Sequence, residues 1–224
     1  MKQEYWPPAV LARSVEQLFL RNKSECSFDT TKNKQVVLLP GMGAPASQLF
    51  ELVNALRSEQ AFQAYGVTAL ELGLSLGDFS LTLQKLIQKI ESDLLDKTTV
   101  EEFVLYAHSH GGRFASELST YLQKQHPDLH IILITGGTPI SERPKSFHNW
   151  LLSLAFRNWP HIHQPQLEMF FALYSDGDEV VDMQHATSHS QANPIFLENF
   201  THDDFRQPIK IIPVLKQLLG MVTK

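Results

Sequence analysis

The sequence predicts an α/β fold in which a mostly parallel, six-stranded sheet is covered by helices on both faces. From residue 35 onward, short apolar runs alternate with longer amphipathic segments. The apolar runs lack the alternation of apolar and polar residues typical of a strand with one solvated face, so both faces of the sheet are expected to be buried. Regular alternation of such strands with helices indicates a doubly wound architecture.

The first half of this pattern contains three strand–helix units. Strands are predicted at residues 35–39, 66–70 and 103–106, because these runs are apolar and end at turn residues or polar segments. Apolar residues then recur at helical spacing over residues 49–56, 81–94 and 112–125.

The second half is predicted to complete the sheet. Strands are expected at residues 131–135 and 167–173, with a weaker sixth at 194–200. An amphipathic helix with apolar residues between Ile209 and Leu219 closes the chain. Pro213 lies inside that helix and predicts either a kink or a later helix start, because proline lacks the N–H that a helix interior needs.

Two segments fall outside the pattern. Residues 1–34 contain one predicted helix and a polar linker that precede the domain of residues 35–224. Residues 138–165 form an aromatic-rich insertion that is too long for an ordinary connection, and we expect a short helical cap there. Because the insertion follows the fourth strand at the edge where ligands bind in open α/β sheets, Trp150 is a candidate substrate-binding residue. Trp150 and Trp159 could equally pack the insertion onto the core.

The amino-acid composition excludes several classes of protein. The chain has 224 residues, of which 43% are hydrophobic and 19% charged, and this balance excludes a disordered or fibrous protein. The net charge is −5 and the charges are scattered, so no nucleic-acid partner is expected. Cys26 is the only cysteine, which rules out an intrachain disulfide. Apolar runs long enough for a signal peptide or a transmembrane segment are missing, and we expect a cytoplasmic protein.

The candidate nucleophile is Ser109, in the sequence Ala-His-Ser-His-Gly-Gly at residues 107–112. A nucleophile elbow places serine on a sharp strand-to-helix turn, and small residues two positions to either side allow the strand and the helix to approach. Ala107 and Gly111 occupy those positions. The alternative is a Gly-Gly helix start beside an incidental serine.

The turn after the first strand, Pro-Gly-Met-Gly at residues 40–43, is a candidate oxyanion site. Acyl transfer needs two backbone N–H groups directed at the developing negative charge. We expect one from His110, which follows the nucleophile. The other is expected from Met42, and Gly41 in the same turn is a further candidate for the oxyanion or substrate-binding site.

The same turn has a second interpretation as a dinucleotide-binding loop. Gly41, Gly43 and Ala46 satisfy the glycine spacing of that motif. An acidic residue should follow about 20 positions later, and Glu71 is the candidate although it lies late for that role.

An acidic loop follows the fifth strand. Asp178 is the candidate carboxylate that would orient a catalytic histidine, with Asp176 and Asp182 as nearby rivals. A solvated acidic turn would have the same composition.

His202 follows the sixth strand and is the candidate general base. The chain order Ser109, Asp178, His202 is the order used by α/β-hydrolases and differs from that of the chymotrypsin and subtilisin folds. His202 could instead be a surface residue at a helix start, with Asp203 or Asp204 as the cap.

The remaining histidines do not predict a metal site. His161 and His163 are two residues apart, as are His108 and His110, but neither pair has acidic or cysteine partners at a zinc spacing. His108 and His110 are interpreted as flanks of the elbow, one against the pocket and one toward the oxyanion site. No metal and no cofactor are expected.

The motifs together resemble the α/β-hydrolase superfamily, and the elbow looks like the Ala-His-Ser-x-Gly-Gly of small lipases and esterases. The resemblance covers residues 35–219. Residues 1–34 depart from the family because they show no obvious early antiparallel strands, which indicates a minimal six-stranded core. The resemblance also implies Ser109 as nucleophile, His202 as base and Asp178 as acid, with oxyanion amides from Met42 and His110.

The resemblance implies a serine esterase or lipase that forms an acyl-enzyme on a small-molecule ester. An acyl thioesterase would use the same residues. A hydrolase-fold protein that binds a ligand without turnover is the third hypothesis, because a fold does not dictate a function.

Overall fold

The computed structural model describes residues 27–41, 44–72, 79–139, 167, 169–181, 183–186 and 191–222. Within them, six strands form one sheet in the order β2-β1-β3-β4-β5-β6, and every neighbouring pair is parallel. The strands are β1 (Lys34–Leu39), β2 (Tyr65–Ala69), β3 (Glu102–His108), β4 (His130–Gly136), β5 (Met169–Tyr174) and β6 (Asn193–Phe196). All six therefore end at one edge of the sheet, which collects the loops that carry the candidate residues.

Helices connect the strands and cover the sheet. They are α1 (Phe50–Ser58), α2 (Phe79–Ile90), α3 (Gly111–Gln125), the one-turn α4 (Met183–Ala186) and α5 (Pro208–Val222). Helix α2 continues into a π-helical turn at Glu91–Leu95, and 3₁₀ turns occur at Ala46–Leu49, Gln60–Phe62 and His202–Arg206. None of the described helices combines the length and the apolar character needed to cross a membrane.

The sheet separates two apolar clusters. Val36 and Leu38 of β1 pack on the side of α1 and α5. Val37 and Leu39 pack on the side of α2 and α3. Side chains alternate between the two faces of a strand, so a strand that is buried on both faces is apolar at most positions. This requirement explains why β1 shows a continuous apolar run.

Several boundaries differ from the sequence predictions, among them those of the fifth strand, the sixth strand and the last helix. The predicted fifth strand begins two residues later, at Met169. The sixth strand ends at Phe196 and carries Pro194, whereas residues up to 200 were expected in it. Helix α5 starts at Pro208 and runs through Pro213, so the later start is wrong. The predicted helix in residues 1–34 and the cap at 138–165 lie outside the described residues, apart from their ends.

Candidate active site

Ser109 lies at the tip of the turn that joins β3 to α3. Its φ is 53°, in the left-handed region that residues other than glycine rarely adopt. Such backbone conformations cost on the order of 1–3 kcal/mol and persist where the surroundings impose them. The backbone N–H of Ser109 donates to the carbonyl of Gly136 at 2.9 Å, which ties the turn to the end of β4.

Glycines let α3 begin directly against the ends of two strands. A Cβ on Gly111 would lie 2.4 Å from the carbonyl oxygen of Pro40, after β1. A Cβ on Gly112 would lie 2.2 Å from Oγ1 of Thr138, after β4. Real Cβ atoms do not approach other atoms this closely, so the close approach of α3 to the strand ends requires glycine at both positions.

Gly41 faces the candidate nucleophile. Strand β1 pairs with β3 and places Leu39 opposite Ala107, so the turn after β1 lies beside the elbow. A Cβ on Gly41 would lie 3.2 Å from Cβ of Ser109 and 3.7 Å from its Oγ. The glycine therefore leaves space next to the serine hydroxyl. Met42, the predicted oxyanion donor in this turn, is outside the described residues.

His110 occupies the residue before α3, and its side chain is 2% exposed. The ring packs edge-on against Phe114, with centroids 5.1 Å apart, and lies 6.4 Å from the ring of Phe79. Burial, together with the positive charge of Arg113, lowers the pKa of His110 to about 3. The neutral ring is part of the packing under the elbow, while the predicted oxyanion role concerns the backbone N–H of this residue.

His202 and Asp178 form a hydrogen-bonded pair. Nδ1 of His202 lies 3.1 Å from each carboxylate oxygen of Asp178, whose side chain is 2% exposed. The same carboxylate accepts the backbone N–H groups of Val180 and Val181, each at 2.9 Å. Because the carboxylate accepts a hydrogen bond from Nδ1–H, Nε2 of a neutral His202 carries the lone pair that a general base needs.

Asp176 has a different set of partners. Its carboxylate accepts the backbone N–H of Asn199 at 2.9 Å, and this hydrogen bond lowers the pKa of Asp176. The hydroxyl of Ser175 accepts the N–H groups of Gly177 and Phe200. These contacts join the acidic loop to the segment that precedes His202. Asp182, the other rival, is outside the described residues.

Gly137 makes room for the acid–histidine pair at the end of β4. Its φ is +55°, and a Cβ there would lie 2.7 Å from Oδ2 of Asp178 and 3.1 Å from Nδ1 of His202. Gly136, the preceding residue, receives the N–H of Ser109. The end of β4 thus contacts both the candidate nucleophile and the candidate pair.

His108 connects the elbow to His202, a contact that sequence analysis did not identify. Its Nε2 lies 2.9 Å from the carbonyl oxygen of His202, and the two ring centroids are 4.6 Å apart. Its Nδ1 faces Gly41, at 3.4 Å from the position of a Cβ there. Glu179, also missed, accepts the backbone N–H of His202 at 3.1 Å. The sequence signals available were only adjacency to Ser109 and to Asp178.

The family model described as the alpha/beta hydrolase family matches residues 36–219, a range that includes most of β1, the other five strands and the three candidate catalytic residues. The chain belongs to the alpha/beta hydrolase family. No curated protein sequence gives a significant match to this hydrolase.

Solved structures with the same fold include proteins with two related activities. Est1E from Butyrivibrio proteoclasticus is 11% identical with a TM-score of 0.62, covering 86% of this hydrolase and 90% of its own chain. The Pyrococcus furiosus esterase Pf2001 is 12% identical with a TM-score of 0.58, covering 97% and 94%. The RedJ thioesterase of the prodiginine pathway in Streptomyces coelicolor is 14% identical with a TM-score of 0.55, covering 85% and 90%. At these identities the likeness shows the fold of the hydrolase.

Other candidates from the sequence are accounted for only in part. Glu71, considered for a dinucleotide loop, accepts the backbone N–H of Ala46 at 2.8 Å and so holds the turn after β1. Within the described part of the hydrolase, no group of three or more His, Cys, Asp or Glu side chains is placed to hold a metal ion. His161, His163 and Trp150 lie outside that part.

Proposed function

We propose that this hydrolase cleaves carboxylic esters through an acyl-enzyme on Ser109, with His202 as general base and Asp178 as the orienting acid. The observation that carries the proposal is the hydrogen-bonded pair of His202 and Asp178, on the sheet edge where Ser109 adopts its left-handed backbone. A nucleophile, a base and an orienting carboxylate are the three roles that a serine hydrolase requires.

The proposed reaction begins when Nε2 of His202 takes the proton of the Ser109 hydroxyl. The serine oxygen attacks the acyl carbon, and the negative charge on the carbonyl oxygen is stabilised by the N–H groups proposed for His110 and Met42. Collapse of this intermediate expels the alcohol, which receives the proton from His202. Water then attacks the acyl-enzyme by the same steps, releasing the acid and restoring Ser109.

The buried histidines beside the elbow support this assignment of roles. Burial holds the pKa of His108 well below its usual range and lowers that of His110 to about 3. Both rings are therefore weak proton acceptors near neutral pH, so neither competes with His202 as the base. Asp178 is hydrogen bonded to His202 and is positioned to stabilise the imidazolium that forms during the reaction.

A thioesterase is the second candidate, because the RedJ thioesterase shares the fold. The same residues would attack a thioester, and a thiol would leave in place of an alcohol. The two candidates differ only in the leaving group, so substrate preference must decide between them.

A serine-reactive fluorophosphonate tests the proposal directly. We expect the purified protein to be labelled at Ser109, as located by mass spectrometry of the labelled peptide, and Ser109→Ala to remove the label. Ser58→Ala, which changes an exposed serine on α1, is the matched control and should label like the wild type. An unlabelled wild type that turns over neither p-nitrophenyl esters nor acyl-CoA substrates would favour a binding protein instead.

A further inference from the structure

We propose that His108 is a positioning residue that fixes the backbone of His202 and thereby the approach of the His202 ring to Ser109. The inference rests on the proposed function, because it concerns the geometry of the base in that reaction. It adds a residue that makes no contact with the reacting atoms in the mechanism above.

Hydrogen bonds hold His202 at its carbonyl, at its backbone N–H and at its ring. A carbonyl oxygen only accepts, so Nε2 of His108 carries the proton that it donates to the His202 carbonyl at 2.9 Å. The N–H of His202 donates to Glu179 and the ring donates to Asp178. Both backbone polar groups and the side chain of His202 are therefore held, and His108 is the partner that belongs to the sheet.

The end of strand β3, which carries His108, is held firmly in the sheet. His108 is the last residue of β3, paired with Gly136 of β4 and buried. Tyr106, two residues earlier and on the same face, donates its hydroxyl to the carbonyl of Phe205. Tyr106 thus anchors the His202–Arg206 turn at Phe205, whereas His108 binds His202 itself, and the residue after His108 is Ser109. Through His108, the end of β3 links the candidate nucleophile directly to the backbone of the candidate base.

The charges around His202 favour a neutral donor at His108. Three groups face His202: Asp178 at its ring, Glu179 at its backbone N–H, and the ring of His108. Burial lowers the pKa of His108, and the positive charge of Arg206, in the same turn as His202, lowers it further. Burial and the proximity of His202 and Arg206 keep His108 neutral. A neutral donor holds the His202 backbone without repelling the positive charge that forms on the His202 ring.

The test compares side chains that differ in reach. His108→Gln retains an N–H donor near the position of Nε2, whereas His108→Asn carries its donor too close to the backbone to reach His202. His108→Leu removes the donor altogether. Tyr106→Phe is the matched control, because it removes the other β3 hydrogen bond to the same turn.

We expect His108→Leu and His108→Asn to lower kcat by about 10–100-fold with little change in KM, as misplaced catalytic groups do. His108→Gln should recover most of kcat. Tyr106→Phe should lower Tm while keeping kcat close to wild type.

Two outcomes would overturn the inference. In one, His108→Asn matches His108→Gln in kcat. In the other, Tyr106→Phe lowers kcat as much as His108→Leu does, which would mean that kcat follows the stability of the fold. A wild type without serine-dependent turnover would instead contradict the proposed function, which separates the two failures.

Discussion

Asp178 and His202 meet through a 3.1 Å hydrogen bond across 24 residues of sequence, whereas Asp176 of the same loop binds the backbone of Asn199. The two carboxylates have different tasks. Asp178 is nearly inaccessible to solvent and touches the imidazole. Asp176 is exposed and connects two loops.

Ser109→Ala should abolish ester turnover while the fold remains intact. Loss of the nucleophile in a triad of the subtilisin type costs about 10⁶ in kcat, and we expect a loss of that order. The measurement is hydrolysis of p-nitrophenyl butyrate, with circular dichroism to establish folding. Activity near wild type in this variant would remove Ser109 from the mechanism.

Ser109→Gly should also be inactive, but more stable than Ser109→Ala. Glycine adopts a φ of 53° without the steric cost that a Cβ imposes. Relief of this conformation should raise the free energy of unfolding by about 1 kcal/mol, measured by urea denaturation of the two variants side by side. Equal stability would mean that the turn is not strained.

Asp178→Asn should lower kcat by about 10⁴, because the amide does not support the required tautomer of His202 and does not stabilise its charge. Asp176→Asn is the matched control two residues away. It should weaken the contact between the acidic loop and Asn199, which lowers Tm, with a much smaller loss of kcat. A larger loss of kcat for Asp176→Asn would reverse the assignment of the acid. Asp182→Asn is likewise expected to have a small effect.

Gly41→Ala should reduce kcat/KM by about 10–100-fold. The new methyl group would lie 3.2 Å from Cβ of Ser109 and 3.4 Å from Nδ1 of His108, which forces a small displacement at the candidate nucleophile. Gly220→Ala is the control, because a Cβ at that position on α5 meets nothing within 4 Å. It should leave kcat/KM unchanged and raise stability slightly, as Ala does in a helix.

Acid should destabilise the fold through the buried histidines. The pKa of His110 is lowered to about 3, so the unfolded chain binds a proton below about pH 6.5 that the folded protein does not. The contribution of His110 to the free energy of unfolding is fully present above about pH 7. It is lost as the pH falls toward 3, by on the order of 1 kcal/mol per pH unit. His108 acts in the same direction.

The check is urea denaturation at pH 7 and pH 5. His110→Leu should narrow the difference in unfolding free energy between the two pH values. Phe114→Leu, a change in the same cluster without a titrating group, should lower stability equally at both. An undiminished difference in His110→Leu would show that the acid sensitivity arises elsewhere.

Trp150→Ser tests the cap predicted from the sequence. If Trp150 contacts the acyl chain, kcat/KM should fall far more for a decanoate ester than for a butyrate ester, because each buried methylene contributes about 0.8 kcal/mol. An equal loss for both esters together with a lower Tm would identify Trp150 as a packing residue.

The sheet was predictable because a strand buried on both faces is apolar at most positions and therefore appears as a short apolar run. The predictions fail where local polar contacts end an element. Strand β6 stops at Phe196 because Asn199 takes a φ of 56° and its N–H binds Asp176. Helix α5 begins at Pro208, since proline is well suited to a first helical position and the interior Pro213 did not prevent the helix.

The candidate site was predictable in its residue types and less so in its contacts. Turn chemistry and chain order pointed to Ser109, Asp178 and His202. The preference for Asp178 over Asp176 came from resemblance, and only the fold brings each carboxylate to its own partner. The contact of His108 with His202 joins residues 94 positions apart, a separation that no local pattern encodes.

The short strand β6 has a consequence for behaviour at high concentration. Amide directions alternate along a strand, and Leu197 donates its N–H inward to Tyr174, so the nitrogens of Pro194 and Phe196 face away from β5. Proline has no N–H, which leaves Phe196 as the outward amide within this strand. An edge with so few donors is a poor template for adding a strand from another molecule. Replacing Pro194 with valine should therefore promote edge-to-edge association, visible as a rise in light scattering with protein concentration.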